Sequence, residues 1–132
     1  MKFYSLKYVS SQSHPGLQKM WKITIIDKYR GDKGLVAHEV FHVAQWYACL
    51  MLTLLLAGVL GYLAQPYWYA LAVAAPWTHH GLYRTKPYKR LSEAMATRIQ
   101  LRYGNYTGRQ WAVKWLKDMG ISDKWAKWWT RA

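Results

Sequence analysis

Between Glu39 and Arg84 the chain carries no Asp, Glu, Lys or Arg. A charge-free run of this length is a poor match to water-exposed loops and amphipathic helices, whose outer faces need ionised or strongly polar side chains. Its core, residues 46–64, comprises nineteen residues in which Thr53 is the one clearly polar side chain. As a helix rising 1.5 Å per residue it is about 28 Å long, close to the ~30 Å hydrocarbon core of a bilayer. Gln65 and Pro66 end it. A second apolar run, residues 67–75, is too short to span alone.

Both flanks of this region are basic, residues 2–33 before it and 84–131 after it, and the net charge of the 132-residue chain is +13. The positive-inside tendency puts both flanks on the cytoplasmic side, which requires an even number of crossings or none. A membrane-associated hairpin or re-entrant dip therefore fits better than a single span. The competing expectation is a buried core helix in a soluble or virion-associated protein. The charge predicts attraction to a polyanion, whether anionic lipid, nucleic acid or acidic cell-wall polymer. The basic but non-apolar start, Lys2 to Lys7, gives no reason to expect a cleaved signal peptide. Cys49, the one cysteine, lies in an apolar stretch and reads as an inert buried thiol.

The expected fold is a single α+β domain, mainly α. Residues 1–34 form a basic N-terminal strand region with a turn at His14, Pro15 and Gly16, and Lys22–Ile26 reads as a strand from its β-branched content. Asp32 is a candidate N-cap for a long helix over residues 35–64. Residues 65–80 form a short apolar hairpin or re-entrant segment. A second helix follows over 89–103, with Glu93, Ala96, Thr97 and Gln100 along one face. A turn separates it from a basic aromatic tail, residues 109–132, with two short helices divided at Gly120.

The long helix begins with His38-Glu39-Val40-Phe41-His42, the HExxH pattern. Four residues apart on a helix, His38 and His42 project from one face and can grip one metal ion, with Glu39 placed to deprotonate a water at that ion. The chain has only two glutamates. The second, Glu93, is the best third ligand: a helix starting near Lys89 puts its carboxylate in the first turn, facing inward beside small Ala94 and Ala96. The alternatives are a surface carboxylate paired with Arg90 or Arg98, and His79 or His80 as third ligand. Gln45, three residues after His42, lies on the same face and can orient a ligand. An oxyanion formed during hydrolysis needs a further donor, for which Tyr83, Tyr88, Tyr103, Tyr106, His79 and His80 all qualify. The strand Lys22–Ile26 could offer an edge to an extended peptide.

These residues resemble the gluzincin branch of zinc metallopeptidases. Residues 38–45 are similar to the HExxHxxQ helix of small phage- or bacteria-encoded peptidases, and Ser92-Glu93-Ala94-Met95-Ala96 to their Glu-Ala-x-Ala third-ligand helix. The order of strand, zinc helix, apolar insert and glutamate helix also resembles the membrane-embedded HtpX-type peptidases, although the insert is shorter and no Asp follows Glu93. The resemblance covers roughly residues 21–103. It implies a minimal zincin with Zn2+ as cofactor, His38, His42 and Glu93 as ligands, Glu39 as general base, and a peptide or protein substrate, cell-wall peptide included.

The tail interleaves Trp with Lys: Trp111 and Trp115 at i,i+4, then Trp125, Trp128 and Trp129. Such a face can lie in a membrane interface, bind a polyanion, or pack on the domain. No nucleic-acid reader motif accompanies the charge, so anionic lipid is the favoured surface partner. Two functions from different classes follow. One is a zinc peptidase at a membrane or other anionic surface. The other is a non-catalytic, Trp-rich membrane-active or virion component with a structural or vestigial metal site.

Overall fold

In Lys22–Ile26 the alternating Ile23 and Ile25 are fully buried, and this strand organises the N-terminal third. The computed structural model describes residues 2–104 and 108–131. Strands β1 (Ser5–Val9), β2 (Gly16–Lys19) and β3 (Lys22–Ile26) form one sheet in the order β1-β3-β2. β3 pairs parallel with β1 and antiparallel with β2. The strand expected to expose an edge is thus the central one, and the edge available to a peptide belongs to β1 or β2.

Helix α1 (Lys33–Leu63) starts two residues earlier than expected and runs unbroken for 31 residues. Asp32 caps it as its residue type suggests, its Oδ1 accepting from the Leu35 amide at 2.9 Å. The first half of α1 covers the sheet: Leu35 and Val43 pack on Ile23 and Ile25, with Tyr4, Leu6 and Tyr8 around them.

The second half of α1 extends beyond the sheet, and the chain returns along it. A 3-10 turn (Pro66–Ala70), α2 (Leu71–Ala74), a second 3-10 turn (Ala75–Trp77) and α3 (Thr78–Tyr83) make the descent. Helix α4 (Lys86–Tyr103) then runs back antiparallel to α1, with Tyr88 beside Cys49 at one end and Gln100 and Gly104 beside Gly34 at the other. A Cβ on Gly34 would overlap the Gly104 backbone and lie 2.7 Å from the Gln100 carbonyl oxygen, so glycine is what lets the helices touch there. α4 starts earlier than the sequence suggests because Pro87 is tolerated in a first turn. Glu93 consequently sits two turns inside the helix, not in its first turn.

Helices α5 (Arg109–Asp118) and α6 (Asp123–Trp129) pack on the opposite face of α4. Ala94, expected to face α1, instead joins Leu116 and Ala126 in this second core, with Val113, Ile121 and Trp129 around them. Gly120, at φ 84°, makes the turn between the two helices. The expected turn through residues 105–107, and Tyr106 with it, lies outside the described residues. The protein is therefore mainly helical α+β, and α1 is long and apolar enough to cross a membrane.

Candidate metal centre

One turn of α1 and the middle of α4 supply three ligand groups from opposite sides. His38 and His42 are both buried, and their Nε2 atoms lie 3.2 Å apart. Glu93 reaches between them, Oε2 at 3.5 Å from His38 Nε2 and Oε1 at 3.5 Å from His42 Nε2. Donors bound at about 2.0–2.1 Å to one tetrahedral zinc ion lie about 3.3 Å from one another. The Nε2–Nε2 separation and the distance from each imidazole to its nearer Glu93 oxygen are close to that spacing, and one donor atom from each of the three residues lies within 4.8 Å of the others. The set, two imidazole nitrogens and a carboxylate, is chemistry zinc accepts. Glu93 makes neither of the ion pairs with Arg90 and Arg98 weighed as alternatives.

The chain also orients the donors. Gln45 Oε1 lies 3.0 Å from His42 Nδ1, and because an amide oxygen only accepts, Nδ1 must carry the proton and Nε2 turns its lone pair toward the centre. Ser92, on α4, donates to the same Gln45 oxygen at 2.6 Å. Gln100 lies against His38 and supports its imidazole.

Electrostatics sort the three groups. Burial alone would keep His38 neutral, but the hydrogen bond to Glu93 and the charges of Glu39 and Glu93 override it and raise its pKa. Burial and the neighbouring His38 push His42 down to about 4. Burial would raise Glu93, yet the bonds and charges of His38 and His42, with the Tyr83 hydroxyl, hold it at about 2.

Glu39 is buried beside the ligands and points to the sheet. A Cβ on Gly16 would overlap its Oε1 and lie 2.9 Å from its Cδ, so β2 crosses directly over this carboxylate. Gln12 pins the preceding loop, donating to Thr24 O at 3.0 Å and accepting from Thr24 Oγ1 at 2.7 Å. Burial pushes Glu39 up to about 7, in the range suited to a proton acceptor at neutral pH.

The descending segment brings two further groups. Tyr83 donates to Glu93 Oε1 and meets the His42 ring edge-on at 5.9 Å. His79 is buried against Tyr83, with Nδ1 2.9 Å from the Tyr88 hydroxyl, which in turn lies 3.5 Å from Cys49 Sγ. Burial and the nearby His42 lower His79 to about 4, so it is neutral. His79 is not part of the ligand cluster His38, His42 and Glu93. His80 faces away, toward Lys19. Tyr103 lies ten residues beyond Glu93, about 15 Å along α4, with its ring 59% exposed, and it takes no part in the cluster. The sequence had no way to rank Tyr83 first, because only the descent of residues 66–83 returns that ring to His42.

Of the tail residues, Trp111, Trp115, Trp125 and Trp128 are exposed, the first two stacked at 5.9 Å and 5°. Trp129 is half-buried in the second core and belongs to the packing, not the outer surface.

Compared with protein-family models, curated proteins and solved structures, the chain matches none.

Proposed function

We propose that this chain is a zinc-dependent metallopeptidase. The observation that carries the reading is the three-way spacing of His38, His42 and Glu93, with a general base of suitable proton affinity beside them. His38, His42 and Glu93 would hold the zinc, which would supply Lewis acidity toward a carbonyl and a water. Glu39 would act as proton acceptor for the attacking water and proton donor to the departing amine. Tyr83, whose hydroxyl donates to Glu93, and His79 packed against it are the nearest groups that could turn a donor toward a developing oxyanion. β2, which passes over Glu39, offers backbone groups to an extended peptide running alongside. The apolar run and basic flanks support work at a membrane or other anionic surface, flanks on the cytoplasmic side.

The test is zinc content and hydrolysis of a mixed peptide library by the wild type and by Glu39→Gln. The reading expects one zinc per chain in both and cleavage in the wild type alone. Equal cleavage by the variant would overturn it. Absence of cleavage with zinc retained in both would favour the non-catalytic reading, to which the exposed tryptophans of the tail lend support.

A further inference from the structure

The second half of α1 and its returning partner are built inside out. Between Met51 and Trp77 twelve large apolar side chains are exposed, among them Leu52, Leu55, Leu63, Tyr67 and Val73. The residues buried between the two arms are small: Ala57 and Gly61 on α1, Ala75 on the return. A Cβ at Gly61 would lie 2.5 Å from the Tyr69 ring, so the seam closes only because the residue there is glycine. A water-soluble pair of helices puts large apolar side chains in the seam. Small residues within and large ones without is the arrangement of helices surrounded by lipid. Exposed apolar patches on soluble monomers seldom exceed about 300–600 Å2, which is the area of a handful of such side chains.

The polar groups of the hairpin fit the same solvent. Thr53 Oγ1 donates to Cys49 O at 2.8 Å and lies 3.0 Å from Thr78 Oγ1, so both hydroxyls are satisfied within the hairpin. The return is helical in pieces and keeps backbone groups paired, as with Trp68 N to Gln65 O at 3.0 Å.

Where the hairpin leaves the folded head, the composition changes at one level of α1. Trp46 Nε1 donates to Pro76 O at 2.8 Å, Trp21 rests on Trp46 at 5.8 Å, and the Tyr47 hydroxyl donates to Phe3 O at 3.1 Å. Phe3, Trp21 and Trp77 of this ring are exposed, and Lys22 lies over the Trp21 ring. An open pocket lined by Lys2, Phe3, Trp21 and Tyr47 sits at the same level. On the α4 side, Arg84, Lys86 and Lys89 are exposed around Tyr88, which touches Cys49. Aromatic rings with Lys and Arg beside them are what an anionic membrane interface selects.

We propose that residues 50–77 enter an anionic lipid bilayer as a hairpin that goes in and comes out on the same side. From Trp46 to Leu63 is about 26 Å of helix, nearly the depth of the hydrocarbon core. His42 precedes Trp46 by one turn, so the metal centre is held about 6 Å outside the aromatic ring. Resting on the peptidase reading, this makes the substrate a peptide segment lying on the bilayer or emerging from it. The occupant is lipid and not a second copy of the chain, because the rim is positively charged and two such rims would repel.

The experiment uses the full chain with Cys49→Ser and Leu63→Cys, labelled at the new thiol with an environment-sensitive fluorophore. It is mixed with vesicles of phosphatidylglycerol and phosphatidylcholine. The expected result is flotation with the vesicles, quenching by nitroxides on the acyl chains and protection from aqueous iodide. Adding Leu52→Arg and Leu55→Arg, at positions already exposed, should reduce flotation about tenfold or more while far-ultraviolet circular dichroism stays unchanged. Iodide access equal with and without vesicles would overturn the proposal, as would a vesicle-free dimer that buries the label. Neither metal nor substrate enters this assay. His42→Ala should float like the wild type, so failure of the metal centre and failure of the hairpin are separable.

Discussion

Gly16 on β2 and Glu39 on α1 approach too closely for one more methyl group: a Cβ on Gly16 would overlap Glu39 Oε1 and lie 2.9 Å from its Cδ. The sheet therefore sets the position of the Glu39 carboxylate, the general base of the proposed function. Gly16→Ala should displace Glu39 while leaving the metal ligands in place. We expect zinc content near that of the wild type, peptide cleavage reduced by at least tenfold, and a stability loss of about 1–3 kcal/mol from overpacking. Zinc analysis, turnover and thermal melting of the same sample check all three.

Metal affinity should depend on groups that never touch the ion. Gln45 fixes the His42 tautomer and Ser92 fixes Gln45. Gln45→Ala should weaken zinc binding about 10- to 100-fold, and Ser92→Ala by less, in a competition titration with a chromophoric chelator. Equal affinity in all three proteins would remove this role.

The metal-free protein should lose stability as pH rises from about 6.5 through 7. Glu39 and His38 have folded pKa values above their ordinary ones. The Glu39 contribution is lost as pH rises from 4.5 to about 7, offset below 6.5 by the opposite shift of His42, and the His38 contribution is lost from 6.5 upward. At the acid end the sign reverses. His42 and Glu93 have depressed values, so their contributions are lost as pH falls toward 4 and then 2. Urea melts across this range, with Glu39→Gln expected to flatten part of the neutral decline, test the assignment. Added zinc should become more stabilising over the same neutral interval, because it displaces the proton on His38.

In the tail, one tryptophan carries fold and the others carry surface. Trp129→Ala should cost about 2 kcal/mol because that ring packs against Ala94, Leu116 and Ala126. Trp111→Ala and Trp115→Ala should leave the melting midpoint nearly unchanged while weakening retention on anionic vesicles.

The metal helix was legible because two local signals coincided. HExxH puts the two candidate ligands one turn apart, and Asp32 marks the start of the helix that carries them. Glu93 was legible for a compositional reason, since a chain with two glutamates leaves little choice. What could not be read depends on distant segments. β1 pairs parallel with β3 although β2 lies between them in the sequence, and the alternating Ser-Leu-Lys-Tyr stretch of β1 is too short to say which strand it joins. Tyr83 and His79 reach the site only after the chain has climbed α1 and come down again. Trp129 and Trp128 are neighbours in a uniform Trp/Lys pattern, and only packing against α4 separates their fates.

Helix α1 joins the turn that carries His38 and His42 to the apolar hairpin without a break, cap or glycine kink between His42 and Ala57. The two ends are thus in fixed phase, like marks on a ruler. One residue inserted between Trp46 and Thr53 would raise the head by about 1.5 Å and turn it by about 100° relative to the hairpin. The His38, His42 and Glu93 cluster would then face a different direction relative to the hairpin, with its three side chains still together. Insertions of seven residues, nearly two full turns, should restore the bearing and change only the height. In this molecule, length along a single helix sets which way the His38, His42 and Glu93 cluster faces relative to the hairpin.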